Sequence, residues 1–167
     1  MPKEKESFQS LINDYSRQVL NTAIRILGDR EKALDVHQEV FLAIWRLWHK
    51  YDGRTNWNAY LYQATVRKAL AFAKRPQTSA FAEHQRLYPA NKERPDEPLR
   101  TAELQKRLTA CLTRLSKRQA EVFVMSRMEG LKTEKIAEIL DCSQETVRVH
   151  LHRAVKRLAV ELGDYLK

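Results

Sequence analysis

Apolar residues recur every three or four positions along most of the chain, which is the spacing that gathers them on one face of an α-helix. In the first 75 residues this pattern predicts three helices. Gly28 suits a left-handed end of the first helix, and Asp29 suits the amino-terminal cap of the second. Residues 51–56 interrupt the pattern and predict a loop, and the third helix is expected to end before Pro76.

Four more helices are predicted in the second half of the chain, with a break at Gly130 between the second and the third. Nowhere do apolar and polar residues alternate with the period of two that a half-buried strand requires. We therefore predict an all-α fold of two small helical domains, a bundle of three or four helices and a helix-turn-helix domain. The four later helices are predicted at Leu104–Leu115, Arg118–Met128, Thr133–Leu140 and Ser143–Leu162.

A stretch rich in proline separates the two helical parts. Four of the five prolines stand between Pro76 and Pro98, where the apolar periodicity is weak, and proline interrupts regular structure because it lacks an amide hydrogen. The stretch is neutral, whereas residues 1–75 carry a net charge of +5 and residues 101–167 a net charge of +4. We predict a first domain at 1–75, a flexible linker at 76–100 and a second domain at 101–167.

The 167-residue chain has a net charge of +9, from 30 lysines and arginines against 21 aspartates and glutamates. This surplus indicates an anionic partner, nucleic acid first and an acidic membrane surface second. No apolar run reaches the roughly 20 residues of a membrane span, and the first ten residues lack the apolar segment of a secretory signal. Cys111 and Cys142 form no disulfide framework and fit the core of a protein in a reducing compartment. We therefore expect a cytoplasmic protein without membrane insertion.

Motifs of the common enzyme sites are missing from the sequence. The four glycines form no phosphate-binding loop, and no pair of histidines or cysteines has the spacing of metal ligands. His150 and His152 stand two positions apart, so a helix turns them in different directions. We therefore expect no catalytic activity, no metal, no cofactor and no small-molecule substrate.

The segment from Lys132 to Leu158 has the pattern of a helix-turn-helix. A short helix containing the small residue Ala137 precedes a tight turn, and Ser143 suits the cap of the next helix. In this motif the second helix lies in the major groove of DNA, where its side chains meet base edges and phosphates. An ordinary amphipathic hairpin with a solvated basic face is the alternative. The candidate contacts to duplex DNA are Lys132, Thr133, Ser143, Gln144, Glu145, Thr146, Arg148, His152, Arg153 and Lys156.

This segment, extended back to Leu115, resembles region four of bacterial sigma factors, above all those of the extracytoplasmic-function (ECF) group. The resemblance implies that the second domain binds the minus-thirty-five element of a promoter. His150 stands where arginine is common in the family, and response regulators share the same helix-turn-helix. The motifs that carry the resemblance are Glu121-Val122-Phe123, Glu129-Gly130-Leu131, Ile136-Ala137 with Leu140, and Ser143 with Thr146-Val147.

The first domain resembles sigma region two. Spacing alone places Asp35, Gln38 and Glu39 on one helix face, which is acidic in a basic protein, and a merely solvated face is the alternative. The resemblance implies that this face binds the β′ clamp helices of core RNA polymerase, with the β flap as a further polymerase contact. The family signature is carried, in order, by Gly28-Asp29, Ala33, Asp35, Gln38-Glu39, Phe41 and Trp45.

Aromatic and cationic residues stand side by side in the loop at 51–56 and in the helix after it. This combination suits single-stranded DNA, because rings stack on bases and cations hold phosphates. The resemblance implies that this region captures the melted minus-ten element, although Arg67 and Ala71 stand where the family shows Asn and Asp. A core position is the alternative for Trp57 and Tyr60. The candidate minus-ten contacts are Arg54, Asn56, Trp57, Arg67, Lys68, Lys74 and Arg75.

Together the resemblances imply an ECF sigma factor, which binds core RNA polymerase and promoter DNA and has an anti-sigma factor as its inhibitory partner. A second hypothesis is a helix-turn-helix regulator that binds duplex DNA without being a polymerase subunit. A third is a basic helical protein on anionic membranes, which the clustering of cations on a helix-turn-helix disfavours. The acidic face with Trp45 favours the polymerase subunit, because a simple regulator has no need of it.

Overall fold

The computed structural model describes residues 7–75 and 97–163, and all regular secondary structure in these two stretches is helical. This confirms the predicted all-α fold. Three helices form an amino-terminal bundle: α1 (Phe8–Leu27), α2 (Arg30–Arg46) and α3 (Trp57–Lys74). Four helices form a carboxy-terminal bundle: α4 (Glu97–Arg114), α5 (Lys117–Phe123), α6 (Thr133–Leu140) and α7 (Gln144–Leu162).

The junction between α1 and α2 forms as the sequence predicts. Gly28 ends α1 in the left-handed region, at φ +65°, where a residue without Cβ is not strained. Asp29 then caps α2, because its carboxylate accepts hydrogen bonds from the amides of Glu31 and Lys32. The reversal packs α1 and α2 against each other, and α3 lies on both.

The amino end of α4 differs from the prediction. The helix begins at Glu97, within the stretch predicted as linker, and continues to Arg114. Pro98 does not prevent this, because a helix leaves the first amides of its first turn unbonded in any case. The rest of the predicted linker, residues 76–96, lies outside the described residues.

A π turn interrupts the helix that was predicted to run from Arg118 to Met128. The α-helix α5 ends at Phe123, and Val124–Met128 continue with the wider π spacing. Gly130 follows at φ +71°, and the Leu131 amide bonds back to the Met125 carbonyl at 2.9 Å. The periodicity could not reveal this turn, because one wide turn shifts the helical phase too little to be read from the sequence.

The two bundles pack against each other along α3. This helix contacts α4, α5 and α6, and a single cluster of buried apolar side chains runs through both bundles. Cys111 of α4 is part of that core, as predicted, and burial followed by a hydrogen bond to Glu161 raises the pKa of its thiol to about 11. In the described stretches, no helix has the length and apolarity needed to cross a bilayer.

Candidate functional site

The turn between α6 and α7 has the geometry of a helix-turn-helix. Asp141 closes α6 in the left-handed region at φ 51°, and the Cys142 amide bonds to the Ala137 carbonyl at 3.0 Å. The Ser143 hydroxyl caps α7 by accepting a hydrogen bond from the Thr146 amide at 3.1 Å. The predicted cap and turn are therefore confirmed, and they fix the angle at which α7 leaves α6.

The buried and exposed faces of α7 separate as its periodicity predicts. Val147, Ala154 and Leu158 are buried against α5 and α6, so the opposite face is turned to solvent. Arg148 lies on that face, its guanidinium 3.4 Å from the Gln144 amide oxygen. The exposed candidate contacts on α7 are Gln144, Glu145, Thr146, Arg148, His152, Arg153 and Lys156.

One cation beside this face was not predicted from the sequence. Arg127 lines a groove of about 270 Å³ together with Arg148 and His152 of α7. The π turn places Arg127 there, and nothing in the spacing of residues 118–128 signals it. Three cationic or ionisable side chains from two elements thus border one groove. Of the remaining candidates, Lys132 is exposed and Thr133 is partly buried at the start of α6.

The solvent face of α2 is both acidic and apolar. Asp35 and Gln38 are exposed, and Glu39 is partly exposed with its carboxylate 3.4 Å from Arg75. Leu42 and Trp45 continue the same face one and two turns later and are large apolar side chains left in solvent, Trp45 being 57% exposed. A continuous apolar patch beside charges is a common feature of protein-binding surfaces.

The loop before α3 is fixed by a cluster of aromatic rings. Trp57 stacks on Trp48 with ring centroids 5.6 Å apart and contacts Tyr51 and Tyr60 edge-on. Tyr51 donates a hydrogen bond to the Tyr60 oxygen at 3.3 Å, and burial together with this neighbour raises the pKa of Tyr51 to about 12. The cluster holds both ends of residues 51–56 against the bundle.

The position of Trp57 favours the core alternative over a contact to DNA. Only 8% of Trp57 is exposed, because Trp48 stacks on it and Tyr51 and Tyr60 pack against it edge-on, so little of the ring is accessible to a base. Asn56 also has a structural task, because its side chain caps α3 by accepting from the Ala59 amide at 3.2 Å. Arg54 is the exposed cation of this loop.

The predicted cations of α3 differ in their exposure and in their contacts. Lys68 and Lys74 are exposed. Arg67 is 40% exposed and donates from Nε to Glu121 of α5 at 2.7 Å. Between α3 and the other bundle lies a groove of about 560 Å³ with an apolar floor, including Leu70 and Leu112, and a basic rim.

Each of the two bundles matches a known protein family model. Residues 11–78 match the family model for sigma-70 region 2, and residues 105–158 match that for sigma-70 region 4. The chain is 25% identical to the RNA polymerase sigma-H factor of Pseudomonas aeruginosa, over 98% of this chain and 90% of the relative. It is 26% identical to the ECF RNA polymerase sigma-E factor of Haemophilus influenzae, over 90% of this chain and 85% of the relative.

Two solved structures share the fold. One is CnrH in complex with the cytosolic domain of CnrY, at a TM-score of 0.58 and 20% identity, covering 94% of this chain and 88% of that chain. The other is the sigma factor RpoE in complex with the anti-sigma factor NepR from Bartonella quintana, at a TM-score of 0.53 and 18% identity, covering 93% and 96%. With both family regions in their characteristic order, this chain belongs to the sigma-70 family, as a member of its ECF group.

Proposed function

We propose that this protein binds core RNA polymerase and directs it to promoters whose minus-ten and minus-thirty-five elements it recognises. The observation that carries the proposal is the presence of two distinct surfaces on one chain. One is the exposed polar and basic side of a helix-turn-helix, and the other is an acidic and apolar face on α2. A DNA-binding regulator uses the first surface alone, whereas a polymerase subunit uses both.

The α2 face is proposed to dock on the β′ clamp helices. Asp35 and Gln38 offer exposed polar groups, and Leu42 and Trp45 supply the apolar area next to them. Charged groups at the rim of an interface select and orient the partner, whereas aromatic side chains at its centre contribute most of the affinity. A basic and apolar partner surface matches this arrangement.

Helix α7 is proposed to enter the major groove of the minus-thirty-five duplex. Gln144, Glu145 and Arg148 stand at its amino-terminal end, where a recognition helix meets base edges. Arg148 is long enough for two hydrogen bonds to one guanine, and Arg153 and Lys156 suit phosphates. Arg127 joins them from the π turn, because it borders the same groove as Arg148.

Helix α3 and the loop before it are proposed to hold the melted minus-ten strand. Exposed Arg54, Lys68 and Lys74 supply cations for phosphates, and Arg67 joins them when it is free. Trp57 supports the loop from inside the bundle, whereas Asn56 is exposed and caps α3.

An anti-sigma partner is proposed for the groove between α3 and the carboxy-terminal bundle. Its apolar floor and basic rim suit an acidic amphipathic segment. The two solved relatives were determined with CnrY and with the anti-sigma factor NepR, respectively. Such a partner would cover cations that are proposed for minus-ten DNA.

Reconstitution with core RNA polymerase tests the function. The purified chain and core enzyme are mixed, and promoters are selected from genomic DNA by run-off transcription. We expect a stable complex and initiation at a defined set of sites, both lost without the chain. Failure to bind core enzyme or to initiate at any promoter would overturn the proposal, and DNA binding as a dimer without polymerase would identify a regulator instead.

A further inference from the structure

The exposed face of α2 carries opposite charges at its two ends. Glu31 and Asp35 stand near the amino end of the helix and Arg46 stands at its carboxy end, and all three are exposed. At 3.6 residues per turn, these positions fall within about 60° of one another around the helix axis. Asp35 and Arg46 are separated by about 16 Å along that axis, so they are too far apart to form an ion pair within one molecule.

Large apolar side chains run along the same face. Leu34, Leu42 and Trp45 are between 40% and 57% exposed, and their spacing keeps them on one side of the helix. The ring of Phe8 in α1 lies 4.8 Å from the ring of Trp45 and holds it in place. A side chain that is already held loses less conformational freedom when a partner binds, so α2 presents a preformed apolar stripe.

The order of these side chains makes the face complementary to itself. In an antiparallel pair of α2 helices with a two-fold axis level with residue 40, positions equally far before and after that residue come level. Asp35 then lies level with Trp45 of the second copy and next to its Arg46, and Leu34 lies level with that Arg46 and next to Trp45. A two-fold contact repeats every pair on both sides of the axis. One register therefore forms two ion pairs and two apolar contacts.

We propose that two copies of the free protein associate through this face of α2 as an antiparallel dimer, which hides the surface proposed for core RNA polymerase. The dimer itself follows from the side chains of α2. Its effect on polymerase rests on the proposed function, which assigns Asp35, Leu42 and Trp45 to the β′ clamp helices. These side chains cannot contact both partners at once, so the dimer and the polymerase complex exclude each other by mass action.

The size of the contact sets the strength of the dimer. Each copy contributes one helix, which is less than the roughly 800 Å² that each partner contributes to a standard stable interface. We therefore expect a reversible dimer with a Kd of about 10–50 µM. Because opposite charges contribute to the contact, raising the salt concentration is expected to weaken the dimer.

Sedimentation velocity of the full chain tests the dimer. Between about 1 µM and about 200 µM, the wild type is expected to change from a monomer of 19.6 kDa to a dimer. Asp35→Arg and Arg46→Asp each bring like charges together, so each variant alone is expected to dimerise at least about tenfold more weakly. An equimolar mixture of the two variants restores both ion pairs and is expected to form a heterodimer as strong as the wild-type dimer.

Matched controls exclude an effect of overall charge. Asp14→Arg and Arg17→Asp make the same charge changes at exposed positions of α1, and each is expected to dimerise as the wild type does. Circular dichroism checks that all four variants keep their helices. A wild type that stays monomeric over the whole range overturns the inference. A mixture that stays monomeric overturns it as well, and so does a control that is weakened as much as the α2 variants.

Addition of core RNA polymerase to the fluorescein-labelled wild-type dimer tests the exclusion. One chain per core enzyme and loss of the dimer are the expected result, whereas a core enzyme that carries two chains would overturn the exclusion. A chain that binds core enzyme but never dimerises would overturn this inference and leave the proposed function standing. A dimer that is restored in the mixture of variants but ignored by core enzyme would uphold the contact and overturn the proposed function alone.

Discussion

Arg67 Nε donates to Glu121 Oε1 across 2.7 Å and thereby ties helix α3 to helix α5. The helix proposed for the melted strand is therefore fastened to the domain proposed for duplex DNA. The Glu121 side chain is completely buried, and its second oxygen, Oε2, lies 3.5 Å from Arg118 Nη1. The Glu121 carboxylate thus pairs with an arginine of its own helix and with an arginine of the other bundle.

Glu121→Gln is expected to lower the free energy of unfolding by about 1–3 kcal/mol. The substitution keeps the shape but weakens two charge-assisted hydrogen bonds and buries an amide without good partners. Urea denaturation measures the change. Glu138→Gln is the matched control, because Glu138 pairs with Lys135 at the surface of α6, where we expect a change within about 0.5 kcal/mol. Equal losses in both variants would contradict the buried role of Glu121.

Asp35→Lys with Glu39→Lys is expected to weaken binding to core RNA polymerase by at least about tenfold, because it reverses the charge of the proposed docking face. Both side chains reach solvent, so helicity by circular dichroism should stay unchanged. Asp14→Lys with Glu138→Lys alters the net charge equally at exposed positions elsewhere. If that control loses affinity to the same extent, the effect comes from overall charge and the α2 face is wrongly assigned.

Trp57→Phe is expected to change the affinity for single-stranded minus-ten DNA less than twofold, because the ring is 8% exposed, packs against the bundle and offers little surface to a base. Lys68→Ala, by contrast, should weaken binding and reduce the slope of affinity against salt by about one. Fluorescence anisotropy at several salt concentrations measures both. A strong loss in Trp57→Phe with unchanged thermal stability would show that the ring does meet a base.

Arg148→Ala is expected to weaken binding to the selected minus-thirty-five duplex by about 1–3 kcal/mol and to relax the preference at one base pair. Binding to core RNA polymerase should not change. Arg107→Ala removes the same charge from the exposed surface of α4 and serves as the control in electrophoretic mobility assays. Parallel loss of DNA and polymerase binding in Arg148→Ala would indicate a misfolded domain or a misplaced role.

Stability is expected to fall in mild acid because of His37. Its Nε2 atom lies 2.7 Å from the Ser16 hydroxyl between α1 and α2, and burial lowers its pKa below the usual 6.5. Below about pH 6.5 the unfolded chain binds a proton that the folded protein resists, so the stability present above that value is lost as pH falls through the folded pKa. Between about pH 7.5 and about pH 5, His37→Gln should make the urea midpoint of unfolding less dependent on pH. His49→Gln changes an exposed histidine and should leave that pH dependence as in the wild type.

Local features were predictable because each depends on neighbouring residues. Gly28 ends α1 because a residue without Cβ adopts the left-handed conformation without strain. Asp29 and Ser143 begin α2 and α7 because their side-chain oxygens accept hydrogen bonds from the first amides of those helices. The exposed face of α7 followed from the spacing of Val147, Ala154 and Leu158 in the same way. The start of α4 was missed, because prolines predict a linker although the first turn of a helix tolerates them.

The sequence by itself determined the number of long helices in each bundle, the caps at Gly28, Asp29 and Ser143, the helix-turn-helix and the acidic face of α2, since periodicity and capping act within a few residues. Only the tertiary structure decided that Trp57 is enclosed by rings, that Arg127 joins the face of α7, and that Arg67 meets Glu121 54 positions away. These outcomes depend on how helices pack, and packing is set by the shape and burial of surfaces brought together from distant parts of the chain. A cation in the sequence is therefore only a candidate for DNA until the fold shows which carboxylates it can reach.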